Sequence, residues 1–345
     1  MARIALDAMG GDFAPRAPIA GALHALTELE HDHVVQLVGH TRSIENQLSA
    51  LLEGELAGCR HVRERITIVD APDTIAMSDK PTAALRSGSN NTVSVGLRLQ
   101  VDAESDAFVS AGNTGAQMAA SALLLGRHAG LTRPAIATIF PTARKPLVFL
   151  DSGANVDCSA NELVQFAWLG SVYAEYVLGR YKPAVGLLSI GEEKEKGNTT
   201  SKAAYALFQS AGFNFHGNVE GRDLPAGASD RGPIDVVVCD GFVGNVVLKF
   251  YEAVMPMIVG LLTDVPSFDR GKLEAALGPL DSTSYGGAPL LGVRGVSIIC
   301  HGNSSPRAIK NAVKVAVRAV ETRVNEHIEE RLLGLVSGSG TGQVA

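Results

Sequence analysis

The sequence has few cysteines, and none of its 4 cysteines lies in a Cys-x-x-Cys pair. This spacing argues against a zinc site and against a disulfide framework. Cys239 and Cys300 end apolar runs, so we expect them to be buried thiols of a reducing compartment. Cys158 has no basic neighbour in the sequence that would lower its pKa, and we interpret it as structural.

Aromatic residues, positive charge and long apolar runs are also scarce. Aromatic residues make up 5% of the chain and the net charge is −6, so a nucleic-acid partner is not expected. No uncharged apolar run reaches the ~18 residues of a membrane span. The first residues predict a strand at Arg3–Leu6 rather than a signal peptide. We therefore expect a soluble, cytoplasmic protein.

Several catalytic and nucleotide-binding motifs are missing. There is no HExxH motif and no Cys/His ligand spacing, so we expect no metal. The absence of GxSxG makes a serine acyl-enzyme an unattractive hypothesis. GxGxxG and GxxxxGK[ST] are absent too, which weakens dinucleotide and nucleoside triphosphate hypotheses. No cofactor is expected.

Glycine, in contrast, is abundant, and many of the 37 glycines follow strand-like runs. The clearest case is the β-branched run Ile234–Cys239, which stops at Asp240. Gly244 and Asn245 follow, and an apolar helical pattern is predicted to begin at Val246. Such a strand–turn–helix unit directs backbone N–H groups to the carboxyl end of the strand, which favours an anion. The alternative is a plain connection with glycines for tight geometry.

The order of strand, glycine turn and helix recurs along the chain. It predicts an α/β fold, a Rossmann-like doubly wound αβα sandwich with a mixed, mostly parallel sheet. Pro134–Phe140 and Pro146–Leu150 are predicted to be an antiparallel pair, because only a short turn separates them. We expect one continuous sheet in a single domain over residues 1–336. A small helical lobe could protrude from it around residues 250–290. Residues 337–345 are expected to be a disordered tail.

Six turns combine glycine with a polar residue after a strand. They are Gly10-Gly11-Asp12, Gly112-Asn113-Thr114-Gly115, Gly153-Ala154-Asn155, Gly191-Glu192-Glu193, Gly244-Asn245 and Gly302-Asn303. If the strands are parallel, these turns converge on one edge of the sheet. The predicted crevice is lined by backbone N–H groups and by the amides of Asn113, Asn155, Asn198 and Asn245. Such a lining suits an anion and a polarised carbonyl.

Charged residues near these turns admit two interpretations each. Lys196 could hold a phosphate or an oxyanion, or it could be a solvated lysine in a charge run. Lys249 could point back toward its turn. His301 could act as acid, base or phosphate donor, or be structural. Asp7 and Asp240 end their strands and could simply cap nearby N–H groups.

Seven segments together resemble the bacterial phosphate acyltransferase (PlsX) family, in order and over about residues 2 to 330. They are LDAMGGD (Leu6–Asp12), SAGNTGA (Ser110–Ala116), LDSGANVDC (Leu150–Cys158), IGEEKEKGN (Ile190–Asn198), CDGFVGNVVLK (Cys239–Lys249), YGGAPLLGVRG (Tyr285–Gly295) and HGNSS (His301–Ser305). The resemblance implies a fold like that of isopropylmalate dehydrogenases and phosphotransacetylases, in a homodimer. It also implies transfer of a long-chain acyl group from acyl carrier protein to inorganic phosphate. The acyl phosphate would then pass to a membrane acyltransferase that acts on glycerol 3-phosphate.

The resemblance also assigns site residues. Lys196 and Asn245 are the catalytic candidates. The residues expected to bind phosphate or the acyl thioester are Gly10, Gly11, Asp12, Gly112, Asn113, Thr114, Gly115, Asn155, Asn198, Asp240, Gly244, Lys249 and His301.

The chain departs from the family pattern at residues 87–91. The family often has lysines there, directly after Arg86, where this chain has SGSNN. Docking of an acidic carrier protein would then depend on other positive residues, such as Arg86, Arg98, Arg144 and Lys145. Two other functions stay open: a phosphotransacetylase-like enzyme that uses acyl-CoA, and a non-catalytic membrane-associated binding protein.

One apolar stretch predicts peripheral contact with the inner face of the membrane. Glu252 is the only charge between Lys249 and Asp264. The stretch is too short for a span, and Pro256 argues against a long regular helix. Part of it could pack in a dimer while Met257–Leu262 touches the bilayer. The alternative is that the whole stretch is dimer interface.

Overall fold

The computed structural model describes residues 1–82, 90–263, 271 and 285–338. The chain forms two compact units. Unit 1 comprises Met1–Gly130 and Tyr285–Ala345, and unit 2 comprises Leu131–Ser284.

Strands and helices alternate through the chain, as the sequence predicts. The strands are β1 (Arg3–Asp7), β2 (Val34–Gly39), β3 (Ile66–Asp70), β4 (Ala107–Ser110), β5 (Ala135–Ile136), β6 (Thr138–Phe140), β7 (Leu147–Leu150), β8 (Val185–Leu188), β9 (Phe215–Val219), β10 (Ala228–Ser229), β11 (Gly232–Pro233), β12 (Val236–Val238), β13 (Ala288–Leu291) and β14 (Val296–Ile299). The helices are α1 (Arg16–Glu28), α2 (Thr41–Glu53), α3 (Thr92–Val101), α4 (Thr114–Leu124), α5 (Ala160–Tyr176), α6 (Thr199–Ser210), α7 (Asp223–Ala226), α8 (Gly241–Thr263), α9 (Pro306–Glu321) and α10 (Val324–Gly338), with a 3-10 helix over Ala57–Arg65.

Unit 1 is built on strands in the order β3-β2-β1-β4-β14-β13. All neighbours in this order are parallel except β13 and β14, which are antiparallel. Helix α9 packs against α1, and its apolar stripe at Ile309, Val313 and Ala316 is buried. Lys310 and Lys314 of α9 pair with Glu28 at the end of α1. The pairing lowers the pKa of Glu28 to about 2.

Unit 2 is built on strands in the order β6-β7-β12-β8-β9. The predicted antiparallel pairing of β6 with β7 is confirmed, and the other neighbours are parallel. Val236, Val237 and Val238 are fully buried, as a β-branched central strand predicts. Helix α5 buries Leu163 and Phe166 on its predicted apolar face.

The mixed, mostly parallel α/β architecture is confirmed, but the strands lie in more than one sheet. The expectation of one continuous sheet is therefore wrong. The segment between β9 and β12 contains α7 and the β10–β11 hairpin. Strand β13 was not predicted. The assignment of residues 1–336 to a single domain stays a prediction.

Helix α8 differs most from the sequence pattern. It begins at Gly241 rather than Val246, so Gly244 and Asn245 belong to the helix and not to a connecting turn. It also continues through Pro256 without a break. The rest of the predicted lobe, apart from residue 271 and residues 285–290, lies outside the described residues. Helix α10 takes in the first two residues of the predicted tail, and the others also lie outside the described part of the chain.

One face of α8 completes the core of unit 2. Val243, Val247 and Tyr251 pack against a buried cluster that includes Phe140 and Phe149. Among the described residues, α8 is the one helix long and apolar enough to cross a membrane, and its apolar window is largely exposed. Length and composition are weak evidence for a span, since core helices of soluble proteins meet the same criteria.

Candidate active site

The six glycine turns fall into two sets of three, one in each unit. In unit 1 they follow β1, β4 and β14, which are parallel neighbours. In unit 2 they follow β7, β12 and β8, which are also parallel neighbours. The predicted convergence at the carboxyl edge therefore holds within each unit, but the six turns do not share one sheet.

In unit 1, the carboxylate of Asp7 joins the turns after β1 and β4. It accepts hydrogen bonds from the backbone N–H of Met9 at 3.0 Å and from Ser110 Oγ at 2.7 Å. The backbone N–H of Gly112 donates to the same Ser110 hydroxyl at 2.9 Å. A Cβ on Gly10 would lie 2.6 Å from Asp7 Oδ2, so only glycine fits there. Burial raises the pKa of Asp7, and its role is structural.

The turns after β1 and β14 also meet. The backbone N–H of Asp12 donates to the carbonyl of Gly302 at 2.7 Å, and Gly11 has a positive φ of 96°. The side chains of Asp12 and His301 are both exposed at this edge. These two side chains are therefore accessible to a ligand.

Asn113 has its amide engaged inside unit 1. Its Oδ1 accepts from the backbone N–H of Ala116 at 3.0 Å, which caps α4. Its Nδ2 donates to the carbonyls of Ala76, Met77 and Asp79 at 3.1, 3.2 and 2.9 Å. The amide therefore ties the loop around residues 76–79 to the start of α4. Contact of this side chain with substrate stays a prediction.

Thr114 and Gly115 are the first two residues of α4. Thr114 is exposed. The first N–H groups of a helix have no partner within it, so this end can receive an anion. The family-implied role of both residues stays a prediction.

In unit 2, the buried carboxylate of Asp151 organises the loop after β7. It accepts hydrogen bonds from the backbone N–H groups of Ile136, Gly153, Ala154 and Asn155 at 3.1, 3.3, 3.0 and 2.6 Å. Asn155 Nδ2 donates to it as well, at 2.9 Å. Burial raises the pKa of Asp151, while these donors favour the ionised form. The sequence analysis did not single out this residue.

Asn155 connects this loop to α8. Its Nδ2 also donates to the carbonyl of Pro134 at 2.8 Å, and its own carbonyl accepts from the N–H of Gly241 at 2.7 Å. The side chain is buried. Asn155 therefore holds the site together from inside, and its contact with substrate stays a prediction.

The start of α8 lies directly against the same loop. Asp240 Oδ1 accepts from the N–H of Val243 at 2.8 Å, so Asp240 caps the helix. A Cβ on Gly244 would overlap the carbonyl oxygen of Asp151. Asn245 is exposed, and a Cβ built on Gly153 would lie 3.5 Å from its Cγ. Asn113 and Asn155 each use the side-chain amide to hold a loop in place. The side chain of Asn245 makes no such hydrogen bond among the described residues.

Lys249 and Lys196 differ in their surroundings. Lys249 Nζ lies 2.9 Å from Glu252 Oε2, farther along α8, so an ion pair draws it away from the turn. Lys196 is exposed and makes no ion pair with a carboxylate in the described part of the chain. Its neighbour Lys194 pairs with Glu195 at 3.6 Å. Lys196 is thus available to an anionic ligand.

Two amides frame the turn that carries Lys196. Asn198 Oδ1 accepts from the N–H of Ser201 at 2.8 Å and so caps α6. Asn218, at the end of β9, donates through Nδ2 to the carbonyl of Glu193 at 2.8 Å. Asn218 is buried, and its Oδ1 has no partner among the described residues. The sequence analysis missed it, although a polar residue near a strand end was the available signal.

Nucleophiles are poorly placed around these turns. Burial, aided by the nearby Asp151 carboxylate, raises the pKa of Cys158 to about 12. This thiol is therefore protonated at neutral pH. Ser159 and Glu162 satisfy each other in a capping box at the start of α5. The unit 2 site can bind an anion and polarise a carbonyl group, but none of these residues is an activated nucleophile.

The described residues contain one candidate metal cluster, Glu30, Asp32 and His33. The backbone N–H of Ala2 donates to His33 Nδ1 at 3.2 Å, so the ring proton resides on Nε2. Nε2 lies 3.4 Å from carboxylate oxygens of Asp32 and Glu321. A protonated Nε2 offers no lone pair to an ion, so these contacts account for the cluster without a metal.

Comparisons with known proteins agree on one family. The family model described as "Fatty acid synthesis protein" matches residues 2–327. A phosphate acyltransferase of Desulforamulus reducens is 47% identical over 345 residues, which cover 96% of this chain and 98% of that protein. A phosphate acyltransferase of Clostridium botulinum is 40% identical over 346 residues, or 97% of this chain and 99% of that protein.

Solved structures share the fold. The EutD phosphotransacetylase from Staphylococcus aureus has a TM-score of 0.59 at 16% identity, covering 93% of this chain and 94% of that chain. A branched-chain phosphotransacylase from Enterococcus faecalis has a TM-score of 0.60 at 15% identity, covering 93% and 99%. The expected phosphotransacetylase-like fold is confirmed.

Gly244→Ala tests the close approach of α8 to the Asp151 loop. The added Cβ must displace the helix or the loop, so we expect a loss of roughly 1–3 kcal/mol in the free energy of unfolding, as for other overpacked sites. Gly260→Ala is the matched control, because its Cβ would have nothing within 4 Å. That control should be neutral or stabilising by up to ~1 kcal/mol, since alanine favours the helix. Urea unfolding measures both, and equal stabilities would contradict the contact.

Proposed function

The chain belongs to the phosphate acyltransferase family and transfers an acyl group to phosphate, and we propose that its donor is a long-chain thioester of acyl carrier protein. In this proposal inorganic phosphate is the acceptor, and acyl phosphate leaves for phospholipid synthesis. A membrane acyltransferase that acylates glycerol 3-phosphate is the proposed consumer. Neither a cofactor nor a metal takes part in the proposed reaction.

The observation that carries the proposed mechanism is the exposed ammonium of Lys196, which makes no ion pair with a carboxylate among the described residues. Three other charges of its turn are engaged, since Glu195 pairs with Lys194 and Glu192 pairs with Arg222 at 3.5 Å, whereas Glu193 makes no ion pair among the described residues. A cation without a carboxylate partner, at the carboxyl end of a central parallel strand, suits a phosphate or an oxyanion. A solvated lysine would show the same exposure, so substitution of Lys196 decides between the two interpretations.

The proposed reaction needs no protein nucleophile. A phosphate oxygen attacks the thioester carbonyl carbon, and the carbonyl oxygen becomes an oxyanion. The C–S bond then breaks, and the thiolate leaves as acyl phosphate forms. In this scheme Lys196 stabilises the added negative charge, and the exposed amide of Asn245 orients the phosphate or the carbonyl. The lack of an activated nucleophile around Cys158 supports direct attack by phosphate.

Two alternatives remain distinguishable by assay. A phosphotransacetylase-like enzyme would use acyl-CoA, and a binding protein would catalyse nothing. We expect the purified protein to release carrier thiol from acyl carrier protein thioester only when phosphate is present, with acyl phosphate trapped by hydroxylamine. Reaction with acetyl-CoA but not with the carrier thioester would favour the first alternative. No phosphate-dependent thiol release from either donor would favour the second.

Lys196→Ala should lower kcat by on the order of 10²–10³, the usual effect of removing a donor to an oxyanion. Lys194→Ala is the matched control, because Lys194 lies in the same turn and is paired. Its effect should be less than about twofold. Retention of more than about half of the activity by Lys196→Ala at saturating substrate would contradict the assignment.

The positive residues proposed to receive the carrier protein lie in different places. Arg144 and Lys145 are exposed in the turn between β6 and β7, which is at the amino end of β7. They are therefore at the opposite end of this strand from the Asp151 loop. Arg98 lies in the last turn of α3, and Arg86 lies outside the described residues. Helix α3 leads to the amino end of β4, so Arg98 also lies toward the amino end of its sheet, and neither position is preferred for carrier docking.

A homodimer and a peripheral membrane contact are further parts of the proposal. Met257 and Leu261 are exposed on α8, six and ten residues beyond Tyr251, the last α8 residue that packs against the unit 2 core cluster. An acyl phosphate has an apolar chain that a nearby bilayer would accept. The end of α8 is the proposed contact, at the cytoplasmic face of the membrane.

Replacing Ile258 and Leu261 with glutamate tests this contact. Two charges should abolish sedimentation with liposomes, because they cannot enter the apolar interface, while the dimer and the activity on soluble substrate persist. Leu123→Glu, at an exposed leucine of α4, is the control and should leave sedimentation unchanged. Dissociation of the dimer by the double variant, seen by analytical ultracentrifugation, would show that the stretch is a protein interface instead.

A further inference from the structure

Exposed apolar side chains surround the polar site of unit 2. Val156 directly follows Asn155 and is 61% exposed, and Ile190 is 81% exposed in the turn after β8. Phe242 and Val246, at the start of α8, are 61% and 55% exposed. Each of the three turns in this set therefore carries at least one large apolar residue open to solvent. We call these four residues the apolar rim.

Hydrogen bonding brings part of the rim together. The N–H of Gly241 donates to the carbonyl of Asn155 at 2.7 Å. The residues that follow these two partners, Phe242 and Val156, are therefore neighbours. Val246 is four residues after Phe242 and lies on the same side of the helix. The three exposed residues are thus close along the backbone, and Phe242 and Val246 lie near Asn245 on the helix.

The core of unit 2 does not account for this exposure. Helix α8 already buries an apolar face, because Val243, Val247 and Tyr251 pack against the core cluster. Phe242 and Val246 lie outside that face, and exposed apolar side chains that cluster usually mark a binding surface. The rim therefore needs a ligand or a partner.

We infer that the apolar rim binds the first methylene groups of the acyl chain and so determines chain-length preference, an inference that rests on the proposed function. The carbonyl carbon of the substrate must sit beside Asn245 and Lys196 for phosphate to attack it. The chain attached to that carbon then has to leave the polar turns within a few bonds. Phe242 and Val246 flank Asn245 on α8, so they are the apolar surface that the chain meets first.

Chain-length dependence is the measurement that tests this role. Each methylene removed from water is worth about fourfold in a binding constant. For wild type, we expect kcat/KM to be higher for a 16-carbon than for a 4-carbon acyl thioester on the same carrier. Phe242→Ser should lower the ratio of these two values by at least about tenfold, because the long chain loses more contact than the short one.

A matched control separates the rim from exposed apolar surface in general. Tyr181 is 84% exposed and precedes β8, at the opposite end of that strand from Ile190. Tyr181→Ser should leave the ratio within about twofold of wild type. Val156→Ser is a second test variant on a loop, and it should lower the ratio even if Phe242→Ser fails to fold.

Other outcomes would overturn the inference. An unchanged ratio in folded Phe242→Ser and Val156→Ser would show that the rim does not contact the chain. If these variants instead dissociate a dimer while the ratio stays constant, the apolar rim is a dimer interface. If they lose liposome binding at a constant ratio, the apolar rim contacts the membrane. Wild type without phosphate-dependent thiol release from either thioester would refute the proposed function itself. That result is distinct from an active enzyme with an unaltered chain-length profile.

Discussion

The unit 2 site depends on one buried carboxylate. Asp151 gathers five N–H donors, four from the segment after β7 and one from Ile136 of β5, and this arrangement gives the loop its shape. The carbonyl of the same residue faces Gly244, so the loop also fixes how closely α8 can approach. Asn245 owes its position to that approach. The buried Asp151 carboxylate thus positions Asn245, which is proposed to contact the substrate.

Unit 1 uses the same device at a different strand. Asp7 ends β1, is buried, and holds the turns after β1 and β4 through Ser110. In both units burial raises the pKa of the aspartate, and hydrogen-bond donors offset that cost of ionisation. The two carboxylates at the sheet edges are thereby hydrogen-bonded by fixed N–H and O–H donors of the protein rather than by water. Such preorganisation is what oxyanion stabilisation requires, since little reorganisation is left for the reaction itself.

Much of the fold could be predicted from the sequence, because β-branched runs and apolar stripes report burial directly. The antiparallel pairing of β6 with β7 could also be predicted, but the division of the strands into separate sheets could not, since the sequence pattern does not say which sheet a strand joins. The start of α8 was missed because Gly241 and Gly244 look like turn residues, whereas they permit close packing. The amides of Asn113 and Asn198 were predicted to line a crevice, but asparagine is also a favoured helix cap, and both cap helices. Asp151 was missed because an aspartate at a strand end looks like an ordinary cap, and Asn218 was missed because its contact with Glu193 joins segments far apart in the sequence.

The exposed face of α8 has a consequence for how salt affects attachment. The chain carries a net charge of −6, so an anionic surface repels it at long range. Adsorption through Met257 and Leu261 would draw on apolar contact alone, against that repulsion. Added salt screens the repulsion and leaves apolar contact intact or stronger. Attachment of this kind tightens as ionic strength rises, the opposite of the behaviour of a polybasic anchor.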